Sequence, residues 1–304
     1  MGVMKKQKGK KKRQRRIILL VVIVVVLAVV ACILWFAVPE AERKGRNPEG
    51  AINNAEPGKT VDPVKQENNG TTAEPDNGSE LAYFDEGRAE RYEAYAAMMP
   101  GLALEDVIWM VNVDLDKEPY EAPSEVPDPM SLTLLVNKHF MLPEGFKPSD
   151  LVTIGATMMR AEAANSMNEL IDAAAAEGHH LWVQSGFRSY EIQVGLYEQY
   201  SAQDGVEAAD TYSARPGHSE HQTGLTADFN TITEAFGETP EGIWAAENCW
   251  KYGFIIRYTA ENTDVTLYKP EPWHVRYIGR EAAAGMRDLG FLSFEEYWVK
   301  YVNQ

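Results

Sequence analysis

The chain has 304 residues, 45% of them hydrophobic, and a formal net charge of −16. The charge is unevenly placed: residues 1–38 hold nine of the 29 Lys/Arg and no Asp or Glu, and the rest carries 20 Lys/Arg against 45 Asp/Glu, a net of −25. So acidic a body argues against nucleic acid as a partner, because that binding needs a basic face to neutralise phosphates.

The chain opens with a basic tail, residues 1–16, that includes "KKQKGKKKRQRR". It is followed by "IILLVVIVVVLAVVACILWFAV", Ile17 to Val38, 22 residues without a charge. At about 1.5 Å per residue a helix of that length reaches roughly 33 Å, enough for a bilayer core of about 30 Å. Positive charge before the span stays in the cytoplasm, so everything after Pro39 is expected outside, with Trp35 and Phe36 at the outer interface. A cleaved secretory signal fits less well, since its apolar region is usually shorter. Cys32 follows "VVA" in the manner of a lipid-attachment site, but the residues after it stay apolar. Cys249 is the one cysteine beyond the span, so the exported part has no internal disulfide to rely on.

Residues 39–80 are rich in Pro, Gly, Asn and Glu and nearly free of large apolar side chains. Such a segment cannot offset its ordering entropy and is expected to be a flexible linker. Asn69-Gly70-Thr71 and Asn77-Gly78-Ser79 match the N-glycosylation pattern, which arises readily by chance in so polar a stretch.

From residue 81 to 304 the composition turns globular, and a segment of this length can bury one substantial core. Helices are expected around Glu86 to Met98 and Leu104 to Val111. The segment "ATMMRAEAANSMNELIDAAAAEG", residues 156–178, shows the clearest helical period: Met159, Ala163, Met167, Leu170, Ile171 and Ala174 recur at three- and four-residue spacing, with Gly178 at the C-terminal cap. "HHLWVQSGFRS" reads as a short strand, His180 to Gln184, then a turn, and Ser189 caps a helix over "YEIQVGLYEQYSA". Next come a loop, a helix near Ile243 to Tyr252, a strand "FIIRY", a polar hairpin-like stretch and a strand in "PEPWHVRYIG". Helices and strands without a βαβ rhythm predict an α+β fold.

Of the six histidines, His139, His179 and His180 suit surface or structural roles, and His218 suits a supporting or exposed one. His221 and His274 differ, because each stands near a carboxylate at functional spacing. "SEHQTGLTADF", Ser219 to Phe229, joins His221 to Asp228, and "EPWH" joins Glu271 to His274. Hydrolytic zinc takes three protein ligands and leaves a fourth position open. His221, Asp228 and His274 supply such a set, and Glu271 is a separate carboxylate suited to act as general base.

Three segments, "SGFRSYEIQ", "ARPGHSEHQTGLTADF" and "EPWHVRYIG", resemble the signatures of the VanY-like zinc D-alanyl-D-alanine carboxypeptidases, a family that includes peptidoglycan L,D-carboxypeptidases. The likeness extends to "LLVNKHFMLPEGF", and the pattern S-x-H-x-x-G-x-A-x-D is met at Ser219, His221, Gly224 and Asp228, with Thr226 where Ala is common. The resemblance implies a single zinc-peptidase domain with a small antiparallel sheet flanked by helices, the metal on His221, Asp228 and His274, and Glu271 as base. It further implies that Arg188 stabilises the oxyanion, while Gln193 and Ser219 contact the peptide. Zn2+ is the implied cofactor and peptidoglycan stem peptides the implied partners, with the N-terminal helix holding the chain to the membrane. The implied reaction is loss of a C-terminal D-alanine by D,D- or L,D-cleavage. An endopeptidase of the same fold and an inactive wall-binding module are the alternatives.

Overall fold

The computed structural model describes residues 81–303. The basic tail, the apolar run Ile17–Val38 and the linker 39–80 lie outside the described residues, as do Cys32 and both Asn-x-Ser/Thr sites. Among the described residues no helix is long and apolar enough to cross a membrane.

Helix α1 (Ala89–Met98) follows a 3-10 turn at Glu86–Arg88, and α2 (Leu104–Asn112) packs beside it. Tyr92, Val107, Ile108 and Val111 form their shared apolar seam. Strands β1 (Ser124–Glu125) and β2 (Phe140–Met141) make a short parallel contact, and β3 (Leu151–Ile154) and β4 (Thr157–Arg160) form an antiparallel hairpin. Helix α3 (Ala161–Ala176) starts directly after β4, so the expected helix over residues 156–178 is corrected at its N-terminal end. Met159 is fully buried as the period demanded, but from a strand. Backbone bonding decides this: Leu151 to Ile154 pair with Thr157 to Arg160 across a turn at Gly155, whose φ is 55°. Gly178 takes φ 87° just past the end of α3, the left-handed stop expected there.

Strand β5 (Val183–Ser185) leads through Gly186 to Ser189, whose Oγ accepts from the Ile192 amide at 3.4 Å and caps α4 (Tyr190–Asp204). Strand β6 (Thr226–Phe229), helix α5 (Pro240–Asn248), strand β7 (Phe254–Ile256) and strand β8 (His274–Tyr277) follow, and α6 (Arg280–Asp288) and α7 (Phe294–Tyr297) close the chain. The polar stretch between β7 and β8 is not a hairpin. It winds through a 3-10 turn at Ala260–Asn262 into a helical turn at Thr263–Thr266, held by a Thr259–Asn262 capping box.

The main sheet is antiparallel in the order β5-β6-β8-β7. Every residue of β6 and β8 is buried, so both faces of the central pair are covered. Alternation sorts their side chains. Ala227, Phe229, Val275 and Tyr277 join Phe254 and the α3 residues Met167 and Leu170 in the main core. Thr226, Asp228, His274 and Arg276 point to the opposite face, which is polar and still buried. The fold is thus α+β, with helices around a small antiparallel sheet as expected, and the chemistry lies on the sheet's polar face.

Candidate active site

The segment Ser219 to Asp228 turns sharply to place two side chains. Glu220–Thr223 form a 3-10 turn that ends at Gly224 with φ 68°. A Cβ there would stand 2.9 Å from Leu151 Cδ2 and 3.1 Å from Arg160 Cγ, so glycine is required by conformation and by space. The turn leaves His221 beside the start of β6, and Asp228 three residues into that strand. Asp228 pairs directly with His274 on β8 and with Ser185 on β5.

A backbone carbonyl assigns the ring nitrogens of His221. His221 Nδ1 lies 2.7 Å from the Gly186 carbonyl, which only accepts, so Nδ1 carries the proton and Nε2 keeps its lone pair. That Nε2 is 3.3 Å from Asp228 Oδ2. With its proton on Nε2, toward the Glu220 carboxylate at 3.4 Å, His274 has Nδ1 free as the lone-pair atom. His274 Nδ1 is 3.3 Å from Asp228 Oδ1 and 3.4 Å from Glu271 Oε2. Asp228 Oδ1 is buried yet makes no well-formed hydrogen bond.

This arrangement fits a cation. The donor atoms of His221, Asp228 and His274 all lie within 4.8 Å of one another. Ligand bonds of about 2.0–2.2 Å in a tetrahedron put neighbouring donors about 3.3–3.5 Å apart, the spacing that Asp228 keeps to each ring. Burial opposes a charge on His274, but the Asp228 and Glu220 carboxylates outweigh it and push the ring up to about 9, so a metal bound there takes the place of a proton. An imidazole and carboxylate set of this kind suits zinc, and the orphaned Oδ1 is an acceptor suited to a positive charge. Burial pushes the Asp228 carboxyl up, but the two imidazoles outweigh it and hold the group well below the usual carboxylate range. Burial, with Arg188 nearby, keeps His221 below its ordinary value and therefore neutral.

Glu271 stands beside this set. Its backbone N–H donates to the Tyr258 carbonyl at 2.9 Å, and its carbonyl accepts from the His274 amide at 3.0 Å, which fixes the turn of "EPWH". Burial pushes its carboxyl up to about 7; the His274 ring opposes this and the Asp228 charge reinforces it. A carboxyl poised near neutrality suits proton transfer.

A cleft of about 380 Å³ opens over these groups, lined also by Arg188, Ser219, Tyr212, Tyr258, Tyr268 and Trp273. Arg188 is held from behind: Nη1 donates to Gln193 Oε1 at 2.9 Å, Nη2 to Ser185 Oγ at 3.4 Å, and its amide to the His221 carbonyl at 3.1 Å. Gln193, expected at the substrate, does not line the cleft. It is buried on α4, gives its amide to the Ala214 carbonyl at 2.7 Å and spends its oxygen on Arg188. Ser219 does line the cleft.

His139 is buried with Nε2 unpaired, and His218 Nδ1 lies against the Asn137 carbonyl at 2.7 Å; neither lines the cleft. Sequence reasoning missed Tyr258, whose ring sits 4.8 Å from that of His274, and it missed Glu220 altogether. The position of Glu220 beside His221 was the one available signal, and an acidic residue in a turn reads as solvated.

Comparison with other proteins decides the family. The model of the VanY D-alanyl-D-alanine carboxypeptidase family matches residues 156–280, which contain all seven site residues inferred from the sequence. YodJ of Bacillus subtilis (strain 168) is 40% identical over 191 residues, covering 58% of this chain and 70% of YodJ. The chain belongs to the VanY family.

It is therefore a hydrolase of the metallo-carboxypeptidase type. Among solved structures, the LdcB LD-carboxypeptidase is 39% identical with a TM-score of 0.55, covering 59% of this chain and 90% of LdcB. A VanY D,D-pentapeptidase from a VanB-type resistance cassette, solved with Zn(II), is 32% identical with a TM-score of 0.49, covering 54% of this chain and 97% of that one. Zinc is the ion that the His221, Asp228 and His274 donors suit.

Proposed function

We propose that this VanY-family enzyme removes the C-terminal D-alanine from peptidoglycan stem peptides, at the outer face of the membrane to which Ile17–Val38 anchors it. The observation that carries the catalytic part is the convergence on one cleft of a buried carboxylate 3.3 Å from each of two imidazole nitrogens, a second carboxyl, Glu271, beside them and the half-buried Arg188 guanidinium.

His221 Nε2, an Asp228 oxygen and His274 Nδ1 would hold zinc, which when bound would polarise the scissile carbonyl and acidify water. Glu271 takes the proton from the attacking water and returns it to the leaving nitrogen of D-alanine as the C–N bond breaks. Arg188 donates to the carbonyl oxygen as negative charge builds there. Two of its N–H groups are spent on Gln193 and Ser185, and the rest of the fork is left for the cleft. Tyr258 stays a neutral phenol, because burial raises its pKa well above the ordinary value. Ser219 lies where it can accept or donate to the peptide.

Likeness to LdcB across most of that chain favours the L,D bond of a tetrapeptide over the D,D bond of a pentapeptide. The test is to incubate the purified chain with muropeptide tetrapeptide and pentapeptide in parallel, with and without chelator, and to read the products by mass spectrometry. Chelator-sensitive loss of one alanine from the tetrapeptide is expected. Loss from the pentapeptide alone would move the assignment to D,D cleavage, and internal cuts would make the protein an endopeptidase. No product from a zinc-loaded chain would leave only wall binding.

A further inference from the structure

Behind His274 the polar face of the sheet holds four charged side chains with no solvent exposure: Glu220, Arg257, Arg276 and Glu295. Burying them so deeply is costly unless each charge is matched and each polar atom used. The matching is nearly complete. Glu220 Oε1 accepts from Arg257 Nε at 2.9 Å and from Arg276 Nη1 at 3.0 Å. Arg257 turns its other end to Glu295, with Nη1 donating to Oε2 at 3.0 Å and Nη2 to Oε1. Glu295 Oε1 also accepts from Asn137 Nδ2 at 3.2 Å. Arg276 spends its remaining donors on the carbonyls of Tyr277, Leu132 and Leu134.

Of the four carboxylate oxygens in this set, three are met by arginine. The fourth, Glu220 Oε2, faces His274 Nε2 at 3.4 Å. A purely structural ion cluster has no reason to leave one oxygen for an imidazole. A cluster that orients a metal ligand does, because a carboxylate on the far nitrogen fixes the tautomer and the ring plane and makes the near nitrogen more basic.

We propose that Glu220 is a positioning residue for the zinc ligand His274, and that Glu295, acting through Arg257, holds Glu220 in place. The chain Glu295–Arg257–Glu220–His274 then ties the metal centre to α7, which lies beyond the residues 156–280 that match the family. The two carboxylates balance the two guanidiniums, so the cluster aims a negative oxygen at His274 without burying net charge. Arg257 also lies over the Tyr258 ring, with Cζ 5.1 Å from its centroid.

This inference rests on the metal centre proposed above, and the experiment separates the two. In the full-length chain, zinc affinity is measured by competition with a chelator for the unaltered protein, Glu220→Gln, Glu295→Gln and the control Glu169→Gln, whose ion pair with Arg280 is exposed. Loss of an outer-shell partner typically costs about 10–100-fold in metal affinity, and that rise in Kd is expected for Glu220→Gln. Glu295→Gln should show a smaller rise in the same direction, and Glu169→Gln none. Cobalt(II) loaded in place of zinc should give a shifted ligand-field spectrum in Glu220→Gln, a change that mere loss of stability does not produce.

A folded Glu220→Gln that holds zinc within twofold of the unaltered chain, with the same cobalt spectrum, overturns the proposal. If that variant does not fold, the unaltered chain decides: loaded with 113Cd and labelled with 15N-histidine, it should show metal coupling to His274 Nδ1 and a proton on Nε2. Coupling to Nε2 overturns the proposal. An unaltered chain that binds no metal defeats the metal centre itself, whereas normal binding in every variant defeats only the positioning role.

Discussion

Glu271 is separated from the metal donors by role, although its Oε2 is only 3.4 Å from His274 Nδ1. Glu271→Gln keeps the shape and removes the proton acceptor, so the variant should retain one zinc and lose about 10²–10⁴-fold in kcat. Metal analysis beside steady-state kinetics checks this, and near-normal turnover would remove Glu271 from the base role. His221, Asp228, His274 and Glu271 were legible in the sequence because the backbone that positions each pair is short: one turn and one strand for the first, a single turn for the second. Glu220, Arg257, Arg276 and Glu295 were not. Their partners lie as far as 158 residues away in sequence, and a charged residue gives no hint that it is buried until the fold supplies the opposite charge. Gln193 was read as a substrate contact; the structure places it on α4 behind Arg188, where its Oε1 accepts from the guanidinium, a contact that the five-residue spacing did not reveal.

The turn ending at Gly224 is constrained by conformation and by space together. Gly224→Ala adds a methyl group against Leu151 and Arg160 and forces a left-handed conformation. The expected cost is about 1–3 kcal/mol, seen as a fall in Tm of roughly 2–4 °C for each kcal/mol. Zinc affinity should weaken with it, because His221 lies inside the same turn; an unchanged Tm would mean that the hairpin β3–β4 yields easily. At the other end of the described chain, Asp114 follows α2 with φ 63° and meets Arg91 at 2.7 Å and Lys117 at 3.0 Å. Burial raises its pKa, yet the two cations outweigh this and leave it below the ordinary 3.8. A depressed carboxyl pKa contributes stability that is present above the unfolded value and is lost as pH falls through the folded one. Asp114→Asn tolerates the same backbone, so it should destabilise the chain at pH 7, with the gap to the parent closing below about pH 3.8. Denaturant melts at both pH values test this, and an equal gap at pH 3 would assign the effect to shape. Helix α2 was legible almost to the residue from its apolar side chains, and the start of α4 from its Ser189 cap. Residues 157–160 were not, because "TMMR" fits a helical and a strand register equally well and only pairing with Leu151–Ile154 decides between them.

Over the whole chain, the proposed anchor makes its own prediction. Removing residues 1–38 should shift the protein from the membrane fraction to the soluble one and leave chelator-sensitive release of alanine intact; loss of activity in a folded product would mean that this segment does more than tether. The α+β class was legible from the order of elements, whereas the burial of the sheet on both faces was not, since Asp228, His274 and Arg276 alternate with apolar residues as if they faced water. Asp228 and His274 are also directly opposite partners on β6 and β8. A slip of one residue between these strands would send one of the two to the core side, so an ion bridging them acts as a clasp on strand register. The centre of the sheet should accordingly breathe less when loaded: amide hydrogens of Ala227 and Val275 should exchange more slowly with zinc than without it, while those of α1, remote from the clasp, exchange at the same rate in both.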